Sequence, residues 1–284
     1  MKLHNILAVI APAIVISLIS YPFFLLIQMA IYSTGFIKGE FKTVYTGLFD
    51  NILRVYTDPL FQISAKVTLI FTLACLALQI LLGLFLVIVV ANSKLKRLWL
   101  SIIMVSIIIP PLSVALIWRF MAYPEIGLLN YLSSLVRIKP IPWLGDPFWA
   151  TILIIIVDTW HWTSFVFLIL YAGYISLPSA PFEAAKVDGA SGLQIWKNIT
   201  LPLLKPTILV ALFFRTIDIL QAFPELWQLT FGGPNFATTI LNILVYIATF
   251  QLMDWSYAAV TALTLMLIAI GLVITFYRFV KRGF

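Results

Sequence analysis

Charge is scarce in this chain: Asp, Glu, Lys and Arg together make up 10% of its residues, against roughly 25% in an ordinary soluble domain. That scarcity, beside 62% apolar residues, excludes a water-soluble fold and leaves an all-α polytopic membrane protein. Cysteine occurs once, at Cys75 inside an apolar run, which excludes an intrachain disulfide. Two histidines give little material for catalysis, and neither an H-E-x-x-H motif nor a Cys/His metal cluster is present. The phosphate-binding pattern G-x-x-x-x-G-K followed by Ser or Thr is missing as well, so the chain carries no nucleotide loop of its own. The net charge of +7 does not signal nucleic acid, because excess Lys and Arg in a membrane protein marks cytoplasmic loops.

What is present is length of apolar sequence. A membrane span needs about 20 apolar residues, and six stretches qualify: 6–32, 67–90, 98–120, 148–176, 207–223 and 258–280. The apolar run after Met1-Lys-Leu-His is about 26 residues, longer than a signal-peptide core of about 7–15, and reads as an uncleaved first span. Arg215 and Asp218 interrupt the fifth stretch. A seventh, Ile240–Phe250, is too short to span and reads as a re-entrant or external helix.

The loop charges orient these spans. One side carries ten bases, Lys2, Lys94, Lys96, Arg97, Lys186, Lys197, Lys205, Arg278, Lys281 and Arg282, against the two acids Glu183 and Asp188. The other holds Lys38, Lys42, Arg54, Arg137 and Lys139, with Lys66 and Arg119 near span ends. Against these stand Glu40, Asp50, Asp58, Glu125, Asp146, Glu225 and Asp254. The first side is therefore cytoplasmic, and with six spans both termini lie there. The outer segments 33–66, 121–147 and 224–257 contain Gly, Pro and aromatics and read as ordered caps with short helices.

The loop at 177–206 is the most polar interruption of the apolar sequence. Pro181 suits a first helical turn, with Ser179 as cap and Glu183 near the positive helix end. Gly189 can end that helix in a left-handed turn. Ser191 and Gln194 have the spacing of a capping box, which starts a second helix. Pro202 and Pro206 are expected to break it before the fifth span. Residue physics alone leaves two readings of this hairpin: a connector between spans, or a shaped docking surface.

Four ionisable residues, Asp158, His161, Arg215 and Asp218, fall within spans, where such groups are costly. Asp158 and Arg215 both come near the midplane, and Arg215 and Asp218, three apart, can pair on one helix face. Such a pair could lock the fourth and fifth spans together. The other reading is a polar passage lining in which Trp160, His161, Trp162, Gln221 and Phe223 supply hydrogen bonds and stacking faces for a sugar.

The loop also carries a pattern. Glu183-Ala184-Ala185, three residues, Gly189, nine residues, Ile199, one residue, then Leu201-Pro202 strongly resembles the cytoplasmic signature loop of binding-protein-dependent ABC importer permeases. Thr46-Gly47-Leu48 through Asn51, Asp58-Pro59, Pro110-Pro111 with Trp118, Gly127 with Asn130, Gly232-Gly-Pro234 with Thr238-Thr239, and Tyr257-Ala-Ala259 are similar to the carbohydrate members of that family, of the maltose, glycerol-phosphate and oligosaccharide types. No large outer insertion follows the second span, a departure from the maltose type that leaves binding-protein docking to smaller elements.

The resemblance implies a type I ABC importer transmembrane-domain fold over residues 1–284 as a single domain, in the cytoplasmic (inner) membrane. It implies that the chain is no enzyme: ATP and Mg would sit on two separate ATP-binding subunits, beside a second homologous permease and an extracytoplasmic sugar-binding protein. Glu183, Ala184, Ala185, Asp188, Gly189, Ser191, Ile199, Leu201 and Pro202 would then form the ATPase-coupling loop. In the maltose type, sugar-facing residues precede the Gly-Gly-Pro turn at the distance where Gln221 and Phe223 stand, although Ala222 departs from the Asn or Asp usual there. A secondary transporter driven through Asp158, His161 and Asp218, or a membrane-embedded enzyme, are the alternatives from other classes.

Overall fold

The computed structural model describes residues 3–37 and 40–281; Lys2, Lys38 and Arg282 of the charge count lie outside them. The element order is α1 (Leu3–Ile31), β1 (Tyr32–Ile37), β2 (Glu40–Tyr45), α2 (Leu48–Thr57), α3 (Pro59–Asn92), α4 (Lys96–Ile108), α5 (Pro111–Met121), α6 (Leu128–Leu135) and α7 (Pro147–Ile175). It continues through α8 (Ala180–Val187), α9 (Gly192–Ile195), a π-helical turn (Trp196–Thr200), α10 (Leu201–Gln221), α11 (Pro224–Thr230), α12 (Leu241–Tyr246), a second π turn (Ile247–Gln251) and α13 (Trp255–Lys281).

Each expected apolar stretch coincides with helix, but the boundaries and shapes differ. Among the described residues, α3, α7 and α13 are long and apolar enough to cross a membrane unaided. The stretch 98–120 is not one straight helix. It is the pair α4–α5, bent by 92°, because Pro110 and Pro111 remove two amide donors and their rings oppose continuation of α4. Helix α3 extends back to Pro59 and α10 back to Leu201. Lys205, Arg215 and Asp218 keep α10 from reading as a plain apolar span.

The outer segment 33–66 departs most from expectation. It opens with an antiparallel hairpin, β1 on β2, in the register Tyr32↔Tyr45 to Ile37↔Glu40. The Tyr32 and Tyr45 rings meet edge-on at 5.6 Å, a cross-strand aromatic pair of the kind that stabilises two-stranded ribbons. The expected short helices follow it as α2 and, further along, as α6, α11 and α12.

The chain forms two compact units. The first comprises residues 1–65 and 241–268, with a core of Ala30, Val55, Phe61, Leu241, Leu244, Ala248 and Tyr257 through Val260. Polar pins hold its ends. Asn51 Nδ2 donates to the Ala30 carbonyl at 2.8 Å. Asp58 Oδ1 accepts from the Leu60 amide at 2.8 Å and from the Tyr257 hydroxyl at 3.0 Å, and Arg54 grips Asp254 with both terminal nitrogens.

The second unit comprises residues 66–240 and 269–284. Its core is Val87, Val90, Val166, Phe167, Leu170 and Ala211, contributed by α3, α7 and α10. Small residues let these helices approach closely. A Cβ on Gly83 would lie 3.1 Å from the Leu170 and Val166 side chains. The Ser106 and Ser164 hydroxyls meet at 2.5 Å where α4 crosses α7.

Candidate functional site

The coupling-loop residues expected from sequence come together in one exposed hairpin. Glu183, Ala184 and Ala185 lie on α8 with Pro181 in its first turn. The acid near the start of α8 and Lys186 in its last turn both complement the helix dipole. Ser179 stands at the cap, yet it works through its backbone: its carbonyl accepts from the Phe182 and Glu183 amides at 3.0 Å, and its side chain makes no cap bond.

The C-terminus of α8 is closed in the way the sequence indicates. Gly189 adopts φ +74, the Gly189 amide donates to the Lys186 carbonyl at 3.1 Å, and the Ala190 amide to the Ala185 carbonyl at 2.9 Å. This is the paired Schellman pattern after the Asp188 cap. Nothing lies within 4 Å of a Cβ built on Gly189, so the position is open on its outer side. Ser191 and Gln194 make the reciprocal capping box that starts α9. Val187 and Leu193 are 88% and 81% exposed, apolar side chains presented on a loop outside the apolar helices.

The expected break at Pro202 and Pro206 does not occur. The π turn Trp196–Thr200 joins α9 to α10 without interruption, the Leu201 amide donating to the Trp196 carbonyl. A π turn is wider than an α turn. It relieves the clash between the Pro202 ring and the carbonyl four residues back, which otherwise ends a helix at proline. Ile199 sits in this turn, and Leu201-Pro202 open α10.

The intramembrane charges form a second constellation, buried in the second unit. Asp158, His161 and Arg215 are each 1% exposed. Arg215 pairs with Asp158, which it reaches through Nη2, and not with Asp218 one helical turn along. Gln79 of α3, unforeseen, completes the group: Arg215 Nε donates to Gln79 Oε1 at 2.8 Å, and Gln79 Nε2 donates to Asp158 Oδ2 at 2.9 Å. The guanidinium carbon also lies 4.9 Å from the Trp162 ring centre, a cation–π contact. Three helices, α3, α7 and α10, are thus tied by a closed polar ring whose charges cancel.

His161 belongs to a neighbouring pair. Its Nε2 lies 3.2 Å from the Ile109 carbonyl, at the bend between α4 and α5, and its Nδ1 lies 2.8 Å from Glu225 Oε2 on α11. A carbonyl can only accept, so Nε2 carries a proton. One further proton is therefore shared between Nδ1 and Glu225. Burial pushes the Glu225 carboxyl above the ordinary range, with the His161 hydrogen bond opposing. Glu225 reads in sequence as an outer loop acid. Its pairing needs α11 to fold back against α5 and α7, which no local pattern announces. Gln79, by contrast, is a strongly polar side chain midway along the apolar run 67–90, and that alone marks it.

Glu225→Ala should cost about 1–3 kcal/mol by leaving the buried imidazole short of a partner. Glu225→Gln, whose amide can donate to Nδ1, should stay within about 1 kcal/mol of the parent. Thermal unfolding of the detergent-purified chain distinguishes the two.

The remaining sugar-passage candidates scatter. Trp160 is 42% exposed; it meets Trp118 edge-on at 5.8 Å and lines a cavity of about 370 Å3 with Ser106, Thr163 and Ser164. Gln221 is exposed at the end of α10, and Phe223 stacks on Trp227 at 6.2 Å. Asp218 is half-buried on α10. The Gly-Gly-Pro turn beyond α11 is held by hydroxyls: Thr239 donates to the Gly232 carbonyl at 2.8 Å and Thr238 to the Gly233 carbonyl at 3.0 Å. Phe231, Asn235 and Phe236 around it all have positive φ. Arg119 of α5 donates to the Gln228 carbonyl at 2.9 Å and lies over the Phe231 ring.

The family model of the binding-protein-dependent transport system inner membrane component matches residues 79–282, a stretch holding both the coupling loop and the buried ring. The chain belongs to this family. This inner membrane component is 37% identical over 221 residues to the trehalose/maltose transport system permease protein of Thermococcus litoralis, covering 77% of this chain and 74% of the relative. It is 32% identical over 285 residues to the sulfoquinovosyl glycerol transport system permease protein of Agrobacterium fabrum, covering 99% and 91%. Among solved structures, a chain of a bacterial ABC transporter involved in import of the acidic polysaccharide alginate shares its fold, with a TM-score of 0.78 at 24% identity over 98% of this chain and 95% of that one. The type I importer fold expected from the loop motif is therefore the fold of this inner membrane component. Within the family such a chain is the membrane permease and not the ATP-hydrolysing subunit.

Proposed function

We propose that this chain is the permease subunit of an ATP-driven importer that moves a carbohydrate, of di- or oligosaccharide size, delivered by an extracytoplasmic binding protein. Six spans place both termini in the cytoplasm, and residues 1–284 act as one transmembrane domain in the cytoplasmic membrane. The chain works with a second, homologous permease and two ATP-binding subunits, which supply ATP and Mg. Helix α8 seats in a cleft of an ATP-binding subunit, and closure of those subunits tilts the spans. Asp158, Trp160, His161, Trp162, Arg215, Asp218, Gln221 and Phe223 are the candidate passage residues. Relatives named for trehalose/maltose and sulfoquinovosyl glycerol transport support the carbohydrate class.

The observation that carries the coupling role is the exposed, doubly capped hairpin around Gly189, with open space beyond its Cα. Gly189→Trp tests it. Local backbone strain at the positive φ is of order 1–3 kcal/mol, confined to the loop, so the spans should stay folded. Co-purification of the cognate ATP-binding subunit should fall about tenfold, the equivalent of roughly 1.4 kcal/mol of binding. Undiminished binding and transport would sink the docking role.

A further inference from the structure

The hairpin that carries α8 meets the apolar helices at an aromatic joint. Trp196, the first residue of the π turn, lies parallel to Tyr174 in the last turn of α7, with ring centres 5.8 Å apart and 3° between planes. That is an offset stack, an arrangement aromatic pairs prefer and one that holds them together beyond what their buried area contributes. Both rings also pack on the second unit's core, against the cluster of Val87, Val90, Phe167 and Leu170. The covalent route from α8 to α7 is weaker. It runs through Leu177, Pro178 and Ser179, where the Leu177 amide donates to the Tyr174 carbonyl at 3.2 Å and Ser176 to Gly173 at 3.2 Å. Beyond those bonds the connection is exposed chain, and α8 itself buries little besides Ala185.

We propose that Trp196, through its stack on Tyr174, is the positioning residue that transmits movement of the coupling loop to α7. The inference rests on the coupling reading of the loop. A π turn is a common signature of functional helix segments, and here it places the indole where α9, α10 and the end of α7 converge. Helix α7 in turn carries Asp158 and His161. A push on the loop that tilts α7 thereby reaches both buried polar groups along one rigid helix. If the stack is lost, the loop retains its shape, because the capping box and the Gly189 turn are local, and it stays joined to α10 through the π turn. Its direct hold on the end of α7 is then gone, and it can pivot about 177–179.

Hydrogen exchange on the full complex, purified with its cognate ATP-binding subunits, tests this. Exchange is compared without nucleotide and with ATP and vanadate. In the parent, peptides covering residues 168–176 should change exchange rate about tenfold between the two states, a change in local opening. Trp196→Ala should retain the ATP-binding subunit on co-purification yet hold that change under about twofold, and Tyr174→Leu should match it from the other face of the stack. Trp196→Phe, which keeps a ring, should restore the parent's response.

The proposal is overturned if Trp196→Ala still passes the change to α7, or if that variant loses the ATP-binding subunit. It is equally overturned if Trp196→Phe behaves as alanine does, or if the parent binds the subunit and α7 does not respond. A parent chain that fails to retain the ATP-binding subunit would instead remove the coupling reading itself, and co-purification reads that separately.

Discussion

Arg215→Ala is expected to be the most damaging single substitution in the chain, at about 3–5 kcal/mol. It removes the only cation from a ring in which Asp158 is 1% exposed, leaving a carboxylate in an apolar interior with only the neutral Gln79 amide and Cys75 thiol beside it. The cost comes from stranding a charge, not from losing attraction. A double variant that removes both charges, Arg215→Met with Asp158→Leu, should therefore recover most of the loss, since well-packed apolar replacements of buried pairs are often neutral. Recovery of monodisperse protein and its thermal midpoint in detergent measure both. If Arg215→Ala instead assembles normally and only alters which sugar is carried, the ring serves the passage and its stabilising role is refuted.

The second large effect is expected at Gly173. A Cβ there would lie 2.4 Å from Thr207 Oγ1, 2.5 Å from its Cγ2 and 2.9 Å from its Cβ, distances no pair of helices tolerates. Gly173→Ala forces α7 and α10 apart where Gly173 faces Thr207, at a cost of about 1–3 kcal/mol for overpacking. The ring of Asp158 and Arg215 bridges the same two helices, so the separation should loosen it too. Thr207→Ala removes two of the three offending atoms, and combining it with Gly173→Ala should restore a large part of the lost stability. Additive losses in the double variant would show that the two residues do not oppose each other.

How far such features can be read from sequence depends on how local their causes are. Gly189 and the Ser191–Gln194 box were legible because each closes hydrogen bonds within a few residues of itself. The loop's exposure followed from charge. The partner of Arg215 was not legible in the same way. Spacing offers Asp218 one turn away, but the choice of Asp158 depends on α7 packing against α10, which is tertiary information. Glu225 was hidden for the same reason, being an outer loop acid by position and a buried partner of His161 by folding. The hairpin at 32–45 escaped because the outer segments were read for caps and short helices. Pro202 misled because the rule for proline assumes an α-helical turn before it, and here the preceding turn is wider. Pro206 stands inside α10 after a regular turn, and nothing in the structure explains its tolerance.

That wider turn gives the loop a tolerance to chain length that its exposed surface does not suggest. Each α-helical residue advances the chain by about 100° around the axis, and the π turn holds one residue more than a regular helix needs for the same rise. Removing one residue between Trp196 and Thr200 would let α9 and α10 merge into an ordinary helix of normal stability. Because the wider turn closes its circle with that extra residue, everything upstream would keep nearly its present direction relative to α10, with Trp196 and α8 close to where they stand. The spacing of nine residues between Gly189 and Ile199 thus has two parts: a single-residue deletion in the wide turn is absorbed, whereas one in α9 would re-aim α8 by about 100°.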